Sequence, residues 1–134
     1  MGQLKRPVGS KVVQIRGPSI AFSRNFACES ALEIGAEYVM FIDDDQAFAP
    51  DMLLRLLERK KDVISGTYLF RKWPWHVCAF DTWLPPEEGK KPAGRSFMLL
   101  PGMKGVKRIV AAGAGALLIK TDVLRQLTPP YFPL

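Results

Sequence analysis

An α/β domain with a mostly parallel sheet and flanking helices is the fold this sequence predicts, on three observations. Residues 38–46 run from five apolar positions, Tyr38 to Ile42, straight into Asp43, Asp44 and Asp45. An unbroken apolar run of that length reads as a strand buried on both faces, the usual strand of a helix-covered parallel sheet. The elements around it alternate between strand and helix with short joins, which favours right-handed crossovers between parallel strands. Finally, 134 residues with 48% hydrophobic and 24% charged content suit one domain with a real core. The whole chain, 1–134, is therefore expected as a single domain, with 11–70 as its βαβαβ part and 71–134 completing it.

The first element is a short β-prone run at residues 11–16, KVVQIR, stopped by Gly17 and Pro18. Ser23 then serves as the expected N-cap of a helix through about Ile34, whose apolar face is Ala27, Cys28, Ala31 and Leu32. Gly35 ends it. After the acidic strand end, residues 47–61 restart a helix: Pro50 fits the first turn, and Arg59, Lys60 and Lys61 complement its negative end. A third β-prone run follows at residues 62–70. Beyond it the chain turns aromatic and proline-rich, with a strand expected at 76–80 and a loop over 85–94. Residues 105–120 hold two apolar runs around Gly113 and Gly115, and Thr121 caps a last short helix that Pro129 and Pro130 close off.

Charge and composition exclude several classes. No apolar span is long enough for a transmembrane helix, and the basic N-terminus lacks the apolar core of a secretory leader, so a cytoplasmic location is expected. Cys28 and Cys78 have no partner at metal-ligand spacing and read as free thiols in a reducing compartment. A formal charge of +6 favours anionic partners, whether nucleotides, nucleic acid or acidic lipid surfaces. The clusters at 59–61, 90–91 and 104–108 are not interleaved with aromatics, which speaks against a nucleic-acid platform.

The acidic triplet carries the chemistry. A carboxylate cluster at the C-terminal end of a buried strand lies where open α/β sheets bind ligands. In an extended chain Asp43 and Asp45 point one way and Asp44 the other. Their mutual repulsion calls for a cation, and oxygen-only donors suit Mg²⁺ or Mn²⁺ completed by waters and substrate phosphates. A solvated acidic turn is the alternative. His76, the only histidine, reads as structural or merely exposed. Trp73, Trp75 and Trp83 form either a stacking floor for a sugar ring or a cover for the sheet edge. Arg71 and Lys72 are either phosphate contacts or a solvated pair. The Gly113–Ala114–Gly115 triplet lacks the third glycine of a dinucleotide fingerprint, so it marks only a local need for small residues.

Three segments in order, SRN at 23–25, FIDDDQ at 41–46 and GAGALLI at 113–119 before PPYF, resemble the GT-A nucleotide-sugar glycosyltransferases, in particular family-2-like members of phage and bacteria. The resemblance spans about residues 11–132. It implies a GT-A type fold, a UDP- or GDP-sugar donor, an unspecified acceptor, and Mn²⁺ or Mg²⁺ held by a DxD motif. Asp43 and Asp45 match the two motif aspartates, with Asp45 the first choice as direct ligand. Arg24 and Asp44 would lie on the nucleotide side, and Gly113 and Gly115 along the sugar and acceptor side. Two family features find no match here: a first strand that helps hold the base, and an acidic motif beyond PYF whose carboxylate deprotonates the acceptor. Metal-dependent nucleotide binding with weak or absent transfer is thus the expectation for this chain, with no catalytic base assigned. An exposed sheet edge further predicts self-association. Two other classes compete: metal-dependent phosphoryl transfer on nucleic acid, which needs another carboxylate from a second strand end, and a non-catalytic remnant of the fold.

Overall fold

A computed structural model describes residues 3–84, 87–91, 93–98 and 102–133. In chain order the elements are α1 (Ile20–Glu33), β1 (Tyr38–Ile42), α2 (Met52–Glu58), β2 (Val63–Ser65), β3 (His76–Leu84), β4 (Ala93–Met98), β5 (Ala111–Ala112), β6 (Ala116–Lys120) and α3 (Thr121–Arg125). They form two compact units: Thr67–Gly115, and the chain on either side of it.

The sheet of the first unit corrects the predicted fold class. Its order is β1-β6-β2, and β6 pairs antiparallel with both neighbours, Met40 opposite Leu118 on one side and Ile64 opposite Leu118 on the other. β1 and β2 therefore run the same way, yet a strand from far along the chain separates them, and every ladder is antiparallel. The second sheet is antiparallel too, so the described residues form two small three-stranded antiparallel sheets rather than one mostly parallel sheet. Apolar runs report burial, not strand direction, and the insertion of β6 is a non-local event that no local pattern carries.

β6 also takes the place expected for β1. On β6, Ala116, Leu118 and Ile119 are buried, whereas on β1 only Phe41 is. Alternation puts Leu117 and Ile119 on one face of β6, packed with Cys28, Phe41 and Leu124, and Ala116 and Leu118 on the other. The opposite face closes tightly: a methyl group added at Gly66 would meet Met52 Sδ at 3.2 Å and the Ala116 side chain at 3.3 Å.

α1 begins one turn earlier than expected, because Ser19 rather than Ser23 is the N-cap; its hydroxyl accepts from the Phe22 N–H at 3.1 Å. At the other end Gly35 adopts φ 70°, with Gly35 N–H donating to Leu32 O and Ala36 N–H to Ala31 O. That is the Schellman pattern, and it needs the left-handed conformation glycine takes freely. α2 is shorter than the 47–61 span, starting after Asp51 and ending at Glu58, and the positive φ of Lys60 closes it off. The run at 11–16 is not a strand: Val12 and Val13 lie exposed, so β propensity without a pairing edge produces none. Residues 62–70 divide, with β2 in the first unit and Leu69 bridging Val77 in the second. Thr121 does not cap α3 but is its first residue. Its buried hydroxyl donates to the carbonyls of Ala36 at 2.6 Å and Glu37 at 3.0 Å, tying α3 to the entry of β1.

Cys28, fully buried on α1, has its thiol pushed up to about 11, chiefly by burial and secondarily by Glu29. The folded pKa lies above the unfolded value of 9.0, so the unfolded chain releases this proton first as pH rises. Stability from this group is complete below about pH 9 and is lost between 9 and 11, on the order of 2 kcal/mol. Denaturant midpoints of native and Cys28→Ala chains across that range should converge as the pH rises, and parallel curves would rule the thiol out.

In the second unit β3 lies between β4 and β5. β3 extends to Leu84, past the expected 76–80, and β4 begins within the predicted loop at Ala93; residues 85, 86 and 92 of that loop lie outside those described. Gly113 N–H donates to Cys78 O at 3.1 Å, and Gly115 N–H donates to the Tyr68 hydroxyl at 3.1 Å. A methyl group at Gly113 would run into that hydroxyl and approach Cys78 Sγ at 2.7 Å. Gly113→Ala should therefore lower the stability of this unit by about 1–3 kcal/mol, read by tryptophan fluorescence during denaturation. Adding Tyr68→Phe should recover part of the loss, since the closer of the two clashes is with the hydroxyl.

Candidate functional site

The acidic turn begins where β1 ends. The Gln46 N–H donates to Asp43 O at 3.1 Å, so the chain reverses over residues 43–46 instead of staying extended. The alternation expected to align Asp43 with Asp45 thus stops at Ile42. Asp43 is partly buried, while Asp44 and Asp45 are exposed.

Arg24 comes to this turn from the first turns of α1. Its Nη2 donates to Asp43 Oδ1 at 3.2 Å, with the arginine side chain 22% exposed and the carboxylate 45%. The guanidinium also lies over the Phe132 ring, 5.7 Å from its centroid. Phe132 in turn meets Phe41 edge-on at 5.5 Å. One residue along the helix, the Asn25 amide reads the backbone of Phe132 in both directions: Nδ2 donates to Phe132 O at 2.8 Å and Oδ1 accepts from Phe132 N–H at 3.0 Å. Nδ2 also donates to Ala21 O at 3.0 Å. The SRN, DDD and PYF segments thus meet at one place in the first unit.

Arg24, Asp43, Asp44 and Asp45 belong to this unit, whereas Gly113 and Gly115 belong to the second. The space beside Gly113 is filled by Tyr68 and Cys78 of its own unit. Asn25 and Phe132 are the pair that sequence reasoning missed as partners. They lie 107 residues apart, and an asparagine on a helix gives no local sign that its amide will hold a distant backbone. An open groove of about 500 Å³ runs beside this clamp, lined by Phe22, Asn25, Phe26, Glu29, Pro129 and Pro130, and none of the three aspartates lines it.

For a divalent cation the turn offers few protein donors. Among the described residues no three His, Cys, Asp or Glu side chains stand together as a metal-holding group. One Asp43 oxygen already accepts from Arg24. The turn therefore builds no all-protein cage, and a hard ion held there would have to keep waters and draw its remaining ligands from elsewhere. No family model matches this chain, and neither a curated protein nor a solved structure matches it. Among the described residues no helix is long and apolar enough to cross a membrane.

Proposed function

We propose that the chain binds a nucleoside-diphosphate sugar, UDP- or GDP-linked, at the acidic turn and serves sugar transfer to an acceptor. The carrying observation is the Arg24–Asp43 contact beside the Asn25–Phe132 clamp, which gathers the segments whose order resembles the glycosyltransferases. Asp43 and Asp45 would hold Mn²⁺ or Mg²⁺, which when bound neutralises charge on the departing diphosphate. Arg24 supplies the fixed cation of the site: it neutralises Asp43, and its remaining N–H groups suit phosphate oxygens. Phe132 holds the guanidinium plane in place, and the Asn25 amide holds Phe132.

Calorimetric titration with UDP and GDP, each with and without Mn²⁺, tests this on the native chain and on Asp45→Ala. Binding that needs the ion and disappears in the variant is the expected result; no binding, or binding indifferent to both ion and variant, sinks the reading. Arg24→Gln should weaken nucleotide binding about tenfold, the scale of one charge-assisted hydrogen bond.

A further inference from the structure

We propose that the loop of residues 70–76 in the second unit is a peripheral anchor for an anionic lipid surface. The inference is independent of the nucleotide site.

The loop is closed at its base. Phe70 N–H donates to His76 O at 2.9 Å, His76 N–H donates to Pro74 O at 2.9 Å, and Leu69 bridges Val77 just outside. Between these ties Arg71, Lys72, Trp73 and Trp75 stand exposed, Trp73 at 77% and Trp75 at 51%. Indoles are among the largest apolar groups a chain can leave in water. Indoles side by side with cations are the combination that settles at the boundary of a bilayer, rings at headgroup depth and Lys and Arg on anionic headgroups.

Charge points the same way. Thr67–Gly115 carries eight of the nineteen Lys and Arg residues and three of the thirteen Asp and Glu, leaving eleven and ten to the rest of the chain. Most of the +6 therefore sits in the smaller unit. A neutral glycan would stack on the rings but leave that charge without a role.

Single-stranded nucleic acid is also anionic, but it needs ring faces open to successive bases. Here a register shift in the β3–β4 pairing brings Phe80 and Trp83, three residues apart, onto one face above Gly94, where an added methyl would meet both rings. Their planes cross at 62° with centroids 5.1 Å apart, and Phe70 meets Phe80 at 60° and 6.0 Å. Phe70, Phe80 and Trp83, so inclined, turn towards one another's edges and extend no parallel stack beyond the two loop indoles. Phe97 is covered by the Lys107 ammonium, 4.6 Å from its centroid.

Trp73, Trp75 and Trp83 are the chain's only tryptophans, so their emission reports binding directly. The full chain is titrated with vesicles of phosphatidylcholine alone and of phosphatidylcholine with phosphatidylglycerol, read by fluorescence and by flotation. A blue shift and co-flotation confined to the anionic vesicles, weakened by salt, are expected. Trp73→Ser with Trp75→Ser should reduce partitioning about tenfold or more, and Lys72→Gln alone roughly fivefold, both with unchanged circular dichroism. Failure to float with anionic vesicles, or equal partitioning into neutral ones, overturns the proposal. So does preferential binding of a single-stranded oligonucleotide that the Trp73→Ser, Trp75→Ser chain loses.

Discussion

Leu118→Ala is expected to cost the first unit about 3 kcal/mol and to lower its melting temperature by roughly 12–24 °C. Leu118 is 2% exposed at the middle of β6, opposite Met40 and Ile64 at once. Shortening it removes buried methyl groups where two ladders meet, and neither can close the gap without shifting its register. Val63→Ala is the control. Val63 lies on β2, half exposed, and its truncation should cost well under half as much. Denaturant titration, with amide exchange followed in β1 and β6, measures both. Equal losses would mean that β6 is not the centre of this unit.

Asn25→Leu should release the Tyr131–Phe132 segment. The side chain keeps the same branching, with two methyl groups in place of the amide oxygen and nitrogen, but loses both bonds to the Phe132 backbone, so about 2 kcal/mol of stability goes with it. The more specific readout is the Phe132 amide, whose N–H exchange should speed up at least about tenfold. Asn25→Asp separates the two bonds: a carboxylate still accepts from the Phe132 N–H but faces the Phe132 carbonyl without a proton to give. It should fall between native and leucine chains. An unchanged exchange rate in the leucine variant would show that the Phe41 and Arg24 contacts hold the segment without the amide. If the segment does come free, Arg24 loses its aromatic support, and nucleotide binding should weaken along with it.

Local signals in the sequence were sound where the physics is local. The apolar run at residues 38–42 is a strand, the helix buries Cys28 and Ala31 and partly buries Ala27 and Leu32 of the face expected of it, and Gly35 ends that helix. α1 starts one turn ahead of the expected position because Ser19, four residues before Ser23, is the serine whose hydroxyl caps it. The sheet was illegible for a different reason. Ala116–Lys120 carries nothing to say that it will lie between β1 and β2, and without that strand the two read as direct neighbours. At the site, the acidic turn stood out in the sequence, but its partners did not. Arg24 was legible only by resemblance, and the hold of Asn25 on Phe132 spans most of the chain.

The discontinuity of the first unit has a consequence for the order of events during synthesis. Everything up to Gly66 leaves the ribosome before Ala116–Lys120 exists, so β1 and β2 emerge with no strand to join them. The intervening unit, whose β3–β4 pairing is close in sequence, can form first and bring the two ends of the discontinuous unit together. A nascent chain stalled before β6 emerges would then expose the apolar edges of β1 and β2, the species most open to proteases and to aggregation.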